Sequence, residues 1–129
     1  MRVLIDTHVF LWANHDPDRL GDRRGLVEDE RTELLWSVAS SWEIAIKCGL
    51  GRLTLPESPA RYVPDRMRAL GLTPLGIETS HALAVADLPP LHRDPFDRLL
   101  VAQAQALGVP ILSADEAIER YDVEVLAIR

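Results

Sequence analysis

A chain of 129 residues with 47% apolar content has the size and composition of one ordinary folded domain, which excludes a disordered chain and a fold that depends on covalent staples. Its single cysteine, Cys48, excludes an intramolecular disulfide and a cysteine-built zinc site. A net charge of −6 excludes nucleic-acid binding through a bulk basic patch, but not through a site where clustered acids hold divalent cations and reverse the local field.

The chain opens with Val3, Leu4 and Ile5, an unbroken apolar run that suits a strand buried on both faces of a parallel sheet. Asp6 follows where such a strand ends, the edge at which open α/β sheets bind ligands. It could equally cap the helix expected over Thr7–Ala13. Asp16-Pro17-Asp18 reads as a turn, and Asp18–Arg31 as a polar, mostly helical stretch interrupted at Gly21. Leu34–Val38 is the second strand. Ser40 and Ser41 are expected to open a helix that runs through Cys48 to Gly49. Leu50–Pro59 is a loop, and Ala60–Leu70 a helix closed by Gly71. Leu72–Leu75 is a third strand, held to an edge by Pro74, which has no N–H for a ladder. Thr79–Asp87 reads as helix. Pro95–Leu107 is a longer helix with Phe96, Leu100, Ala104 and Leu107 on one stripe. Val109–Ser113 is a buried strand, Asp115–Tyr121 a short helix and Val123–Ile128 a last strand. This alternation predicts a single domain over residues 1–129, a three-layer α/β/α sandwich around a mostly parallel sheet of four or five strands. The apolar runs are too short to span a bilayer and no signal or lipidation pattern is visible, so a cytoplasmic protein without a membrane partner is expected.

An acid follows each main strand: Asp6 after the first, Glu43 early in the helix after the second, and Asp115 just past Val109–Leu112. Asp94 and Asp97 open the long helix, three residues apart and so near one face. Each has a local structural reading. Ser40-x-x-Glu43 has the form of a capping box. Asp94 before Pro95 has the form of an N-cap, Asp97 suits the same dipole end, and Asp115 could cap its own helix. Taken together they point further, because strand-to-helix junctions of a parallel sheet share one edge. Carboxylates about 4 Å apart repel by roughly 4 kcal/mol per pair at an effective dielectric near 20. Such a cluster needs cations or protons. Oxygen-only ligand sets suit Mg2+ or Mn2+, and such a site activates water and shields a phosphodiester during in-line attack. The residues themselves thus read as a metal-dependent phosphodiesterase.

Four stretches carry a family resemblance: Ile5-Asp-Thr-His-Val-Phe-Leu-Trp12, Ser40-Ser-Trp-Glu-Ile-Ala-Ile-Lys47, Arg93-Asp-Pro-Phe-Asp-Arg-Leu-Leu-Val-Ala-Gln103 and Leu112-Ser-Ala-Asp115. In this order and spacing they resemble PIN-domain toxins of the VapC type, over essentially the whole chain. The resemblance implies a PIN-like fold and a Mg2+- or Mn2+-dependent endoribonuclease, the toxin of a type II toxin–antitoxin pair. It places the family's acidic quartet on Asp6, Glu43, Asp97 and Asp115, with Asp6, Asp97 and Asp115 as metal ligands. Thr7 and Ser113 match hydroxyl positions that support the metal or its water, and Asp94 is an accessory acid or only a cap. Arg98 and Lys47 are candidate RNA phosphate contacts. Implied partners are the RNA substrate and a cognate antitoxin, in a homodimer or a toxin–antitoxin hetero-oligomer. His8, His15, His81 and His92 receive no ligand role, although His92 could touch RNA. Trp12, Trp36 and Trp42 read as core or interface.

Two rivals remain at the level of sequence. One is a PIN scaffold that binds RNA or protein without cutting. The other is phosphotransfer through an aspartyl-phosphate, which expects a second Asp two residues after the first, where His8 stands instead.

Overall fold

The computed structural model describes residues 1–129. Five strands, β1 (Arg2–Ile5), β2 (Glu33–Ser37), β3 (Thr73–Leu75), β4 (Ile111–Ser113) and β5 (Val125–Ala127), form one sheet in the order β3-β2-β1-β4-β5. Every pairing is parallel. The helices are α1 (Thr7–His15), α2 (Arg24–Glu28), α3 (Val38–Gly49), α4 (Pro59–Leu70), α5 (Thr79–Ala84), α6 (Pro95–Leu107) and α7 (Glu116–Glu119), with 3-10 turns at Pro17–Arg23 and Val85–Asp87. None is long and apolar enough to cross a membrane.

The inner positions of β1, β2 and β4 are apolar because both faces of the sheet are covered there. Val3, Ile5, Leu34, Trp36 and Leu112 point into one core with Val9 and Phe10 of α1, Ile44 of α3 and Tyr62 and Val63 of α4. Leu4, Leu35 and Ile111 point into the other, against Leu100, Val101 and Ala104 of α6 and Ile118 of α7. Successive side chains alternate faces, so β1 feeds both cores residue by residue. Pro74 lies in β3, which is an edge strand, as its missing N–H requires. The polar stretch after α1 breaks at Gly21, whose φ of 54° favours glycine and whose Cα faces the Arg129 carbonyl closely.

Two local expectations are corrected. Helix α3 starts at Val38, not at Ser40, and its cap is Ser37, whose Oγ accepts from the Ala39 N–H at 3.0 Å. The Ser37 hydroxyl also donates to the buried Gln103 of α6 at 2.6 Å, which fixes the cap from the opposite layer. Ser40 and Glu43 therefore form no capping box; Ser40 Oγ is buried without a partner, and Glu43 stands in the second turn. The buried surface of α6 is centred on Leu100, Val101, Gln103 and Ala104, while Phe96 and Leu107 at its ends are only half buried.

Candidate active site

The strand order reverses between β1 and β4. Helix α1 covers one face and α7 the other, which leaves a crevice beyond the C-terminal ends of these two strands. The register pairs Ile5 with Leu112, so Asp6 and Ser113 come level at the mouth of this crevice. The Ser113 hydroxyl donates to Asp6 Oδ2 and accepts the Asp115 N–H at 2.9 Å. Asp6 Oδ1 accepts the Val9 N–H at 2.9 Å and so caps α1. The cap and the site are thus the same carboxylate. Burial raises the Asp6 pKa from its ordinary range, against the pull of the Ser113 and Val9 hydrogen bonds.

Helix α3 brings Glu43 to the same edge, buried to 3% exposure. Thr7 donates to its Oε1 at 2.6 Å and Lys47 to its Oε2 at 2.5 Å, one turn further along the helix. Burial pulls the Lys47 ammonium down, but the bond to Glu43 and the charges of Glu43, Asp94 and Asp97 outweigh it, and its pKa lies above the usual value. Asp94 caps α6 through Oδ1, which accepts the N–H groups of Phe96 (2.9 Å) and Asp97 (3.1 Å). Asp115 caps α7 through Oδ1, which accepts the Ala117 N–H at 2.9 Å.

Asp97 sits on the first turn of α6 and faces the rest. Burial first, then the charges of Asp94, Asp115, Glu43 and Asp6, push its pKa up from 3.8 to about 8. Four neighbouring carboxylates thus reach one carboxyl. Lys47 is the lone lysine against them. The carboxylates do not close tightly enough to form a ready-made cage of three ligands. Mg2+ does not require one, since it keeps several waters and takes one or two carboxylates. A hard-oxygen donor set with uncompensated negative charge fits such an ion.

Asp6, Thr7, Glu43, Lys47, Asp94, Asp97, Ser113 and Asp115 all meet at this edge. The Arg98 guanidinium is engaged within the protein. It donates to the carbonyls of Pro89 (2.8 Å), Val85 (3.2 Å) and Leu88 (3.4 Å) and to the Tyr121 hydroxyl (3.0 Å), tying the turn after α5 onto α6. In the sequence His92 is only a candidate RNA contact, whereas the structure puts it 3.3 Å from Asp97 Oδ2; Tyr121, which lies behind His92, was missed. The signal for His92 was its place two residues before Asp94; Tyr121 left none, being far from the motif in sequence.

A cleft of about 210 Å³ opens beside the acids, lined by Asp6, His8, Trp12, Ala114 and Asp115. A larger cavity of about 510 Å³ lies at the other end of the sheet, where β2 and β3 begin, lined among others by Leu20, Leu34 and Leu70. It contains none of these acids, whereas Asp6 and Asp115 line the smaller one.

A parallel α/β sheet in this order, with five acids gathered beyond the ends of its strands, is the architecture of a recognised class of domain. The chain belongs to the PIN domain family, whose sequence profile matches residues 3–124. Ribonuclease VapC16 of Mycobacterium tuberculosis is 48% identical over 64 residues, which are 50% of this chain and 45% of that protein. The chain thus spans about half the length of that relative. Ribonuclease VapC22 of the same organism is 28% identical over 122 residues, 92% of this chain and 91% of that one. Among solved structures, VapBC2 from Rickettsia felis bound to a DNA fragment from its promoter is similar with a TM-score of 0.74, at 14% identity over 100% of both chains. FitAB bound to an IR36 DNA fragment is similar with a TM-score of 0.60, at 14% identity over 97% and 94%. These two share the fold. The resemblance to VapC-type PIN proteins holds.

Proposed function

We propose that this protein is a cytoplasmic endoribonuclease dependent on Mg2+ or Mn2+, the toxin of a toxin–antitoxin pair, with residues 1–129 acting as one PIN domain. The observation that carries the reading is Asp97, a half-buried carboxyl that feels the charges of four others. A divalent ion held there supplies charge neutralisation at a phosphodiester and an activated water. Asp6, Asp97 and Asp115 are the residues that hold it. Asp6 is fixed on both oxygens, by the Val9 N–H and the Ser113 hydroxyl, so it is aligned before any ligand arrives. Glu43 is held by Thr7 and Lys47, and Lys47 keeps part of the negative charge in check while the site waits for RNA. Asp94 has an oxygen to spare beyond its cap and serves as an accessory acid.

The test measures Mn2+ binding to the purified protein by calorimetry, with mapping of cleaved RNA ends after induction in cells. Tight binding at neutral pH and new RNA ends, both lost in Asp97→Asn, are expected. Absence of Mn2+ binding overturns the reading. One observation favours the rival of a non-cutting RNA- or protein-binding scaffold: both oxygens of Glu43 are already engaged within the chain. Metal binding without any new RNA ends would select it.

The antitoxin reading rests on α3. Its inner side buries Ala39, Glu43 and Ile44, while Val38, Trp42 and Ala45 remain exposed one turn apart on the outer side. Trp42 is 58% exposed, and its ring meets that of Phe96 edge-to-face at 5.4 Å. An apolar row beside an acidic crevice suits an amphipathic segment that ends in an arginine or lysine. The oligomer formed, a homodimer or a mixed complex, follows from which surface that segment leaves open.

A further inference from the structure

His92 belongs to none of the roles above, yet it is the side chain that backs Asp97 from the protein side. It lies in the loop before α6 with its side chain 17% exposed. Its Nε2 is 3.3 Å from Asp97 Oδ2 and its Nδ1 is 2.7 Å from the Tyr121 hydroxyl. Tyr121 is buried to 4% exposure, and its ring packs edge-on against the imidazole at 5.4 Å. Arg98 Nη1 donates to the same hydroxyl at 3.0 Å and is itself anchored by the carbonyls of Pro89, Val85 and Leu88.

The direction of this chain follows from what each group can do. A guanidinium only donates, so the Tyr121 oxygen accepts from Arg98. Opposite an ionised Asp97 carboxylate, as a metal ligand must be, Nε2 of His92 has to donate, so Nδ1 is the acceptor to which the Tyr121 hydroxyl gives its hydrogen. A neutral imidazole that accepts at Nδ1 carries its hydrogen on Nε2, and that N–H points at Asp97 Oδ2. Both ring nitrogens are thus engaged inside the protein, and neither is left for RNA.

We infer that His92 is a positioning residue, oriented by Arg98 and Tyr121, which holds Asp97 Oδ2 so that Oδ1 is presented to the crevice. The inference rests on the reading of Asp97 as a metal ligand. Ligating carboxylates are oriented by outer hydrogen bonds, and loss of such a partner typically weakens metal affinity about 10- to 100-fold. Asp97 needs this support more than Asp6 does. Asp6 is held by a backbone N–H and a hydroxyl, whereas Asp97 has His92 as its side-chain donor and four carboxylates that push it away.

Two measurements test it. In the Mg2+-saturated protein, nitrogen–proton NMR should find the His92 hydrogen on Nε2, and Tyr121→Phe should allow it to move to Nδ1. By calorimetry, His92→Ala should bind Mn2+ about 10- to 100-fold more weakly than the parent. His92→Gln, whose amide nitrogen reaches as far as Nε2, should recover most of that loss. His92→Asn, whose amide stops near the Nδ1 position, should not. A side chain needed only for packing would not separate Gln from Asn in this order. A hydrogen on Nδ1 in the parent protein, or unaltered Mn2+ affinity in His92→Ala, overturns the inference. Asp97→Asn is measured alongside. If it abolishes binding while His92→Ala binds normally, the positioning role falls and the nuclease reading stands. If Asp97→Asn also binds like the parent, both fall.

Discussion

At the scale of single residues, Asp97 concentrates what is unusual about this chain. Its carboxyl is carried up to about 8 by burial and by four like charges. The unfolded chain releases that proton near 3.8, whereas the folded chain keeps it. Stability of the metal-free protein should therefore be greatest below the unfolded value and decline as pH rises toward about 8, then level off. Thermal melts between pH 4 and 9 in chelator check this. Asp97→Asn, which keeps the shape without the charge, should lose most of that slope and also lose Mn2+ binding. Metal binding near pH 7 should release a proton, because the ion displaces it from the cluster. The measured heat should then depend on the ionisation enthalpy of the buffer. A binding heat identical in all buffers would contradict the raised pKa. His92 belongs to this scale as well: its sequence position beside Asp94 was visible, but the hydroxyl that orients it came from Tyr121, 29 residues away, and nothing local could announce that.

At the scale of elements, three of the five acids are helix caps and site groups at once. Asn caps about as well as Asp, and Ala costs about 0.5–2 kcal/mol. Asp94→Asn should therefore leave the melting temperature nearly unchanged and reduce cleavage less than Asp97→Asn, whereas Asp94→Ala should lower stability within that range. Denaturant titrations beside cleavage rates separate the two effects. Leu100→Ala, in the α6 surface pressed against the sheet, should cost about 2–5 kcal/mol without touching the metal site. The strands and long helices were legible because their apolar runs and caps are local signals. The start of α3 was not. Ser40 and Glu43 match the capping-box spacing, but Ser37 takes the cap because Gln103, 66 residues away, holds its hydroxyl. The bonds of Arg98 were illegible for a similar reason. Its partners are backbone carbonyls of a turn whose path the sequence did not specify.

At the scale of the whole molecule, parallel topology does what no single motif can. It sends the ends of β1, β2 and β4 to one edge, and the acids that follow them meet there. That convergence was readable as soon as the strands were judged parallel. The acidic edge and the apolar outer row of α3 lie side by side, which gives a prediction for the complex. Trp42→Asp should weaken co-purification with the proposed antitoxin, while leaving Mn2+ affinity close to that of the parent. If the pair co-purifies as well as before, the outer row is not the contact.

The central strand also sets an order in time. β1 is made first, but the neighbour that flanks it on one side is β4, more than a hundred residues later. Until Ile111–Ser113 have left the ribosome, one edge of β1 stays unpaired, and such edges recruit other chains. Asp97 and Asp115 arrive equally late. A nascent chain that holds Asp6 and Glu43 has two acids and no crevice between them. The acidic site is therefore complete only when the last quarter of the chain has been built.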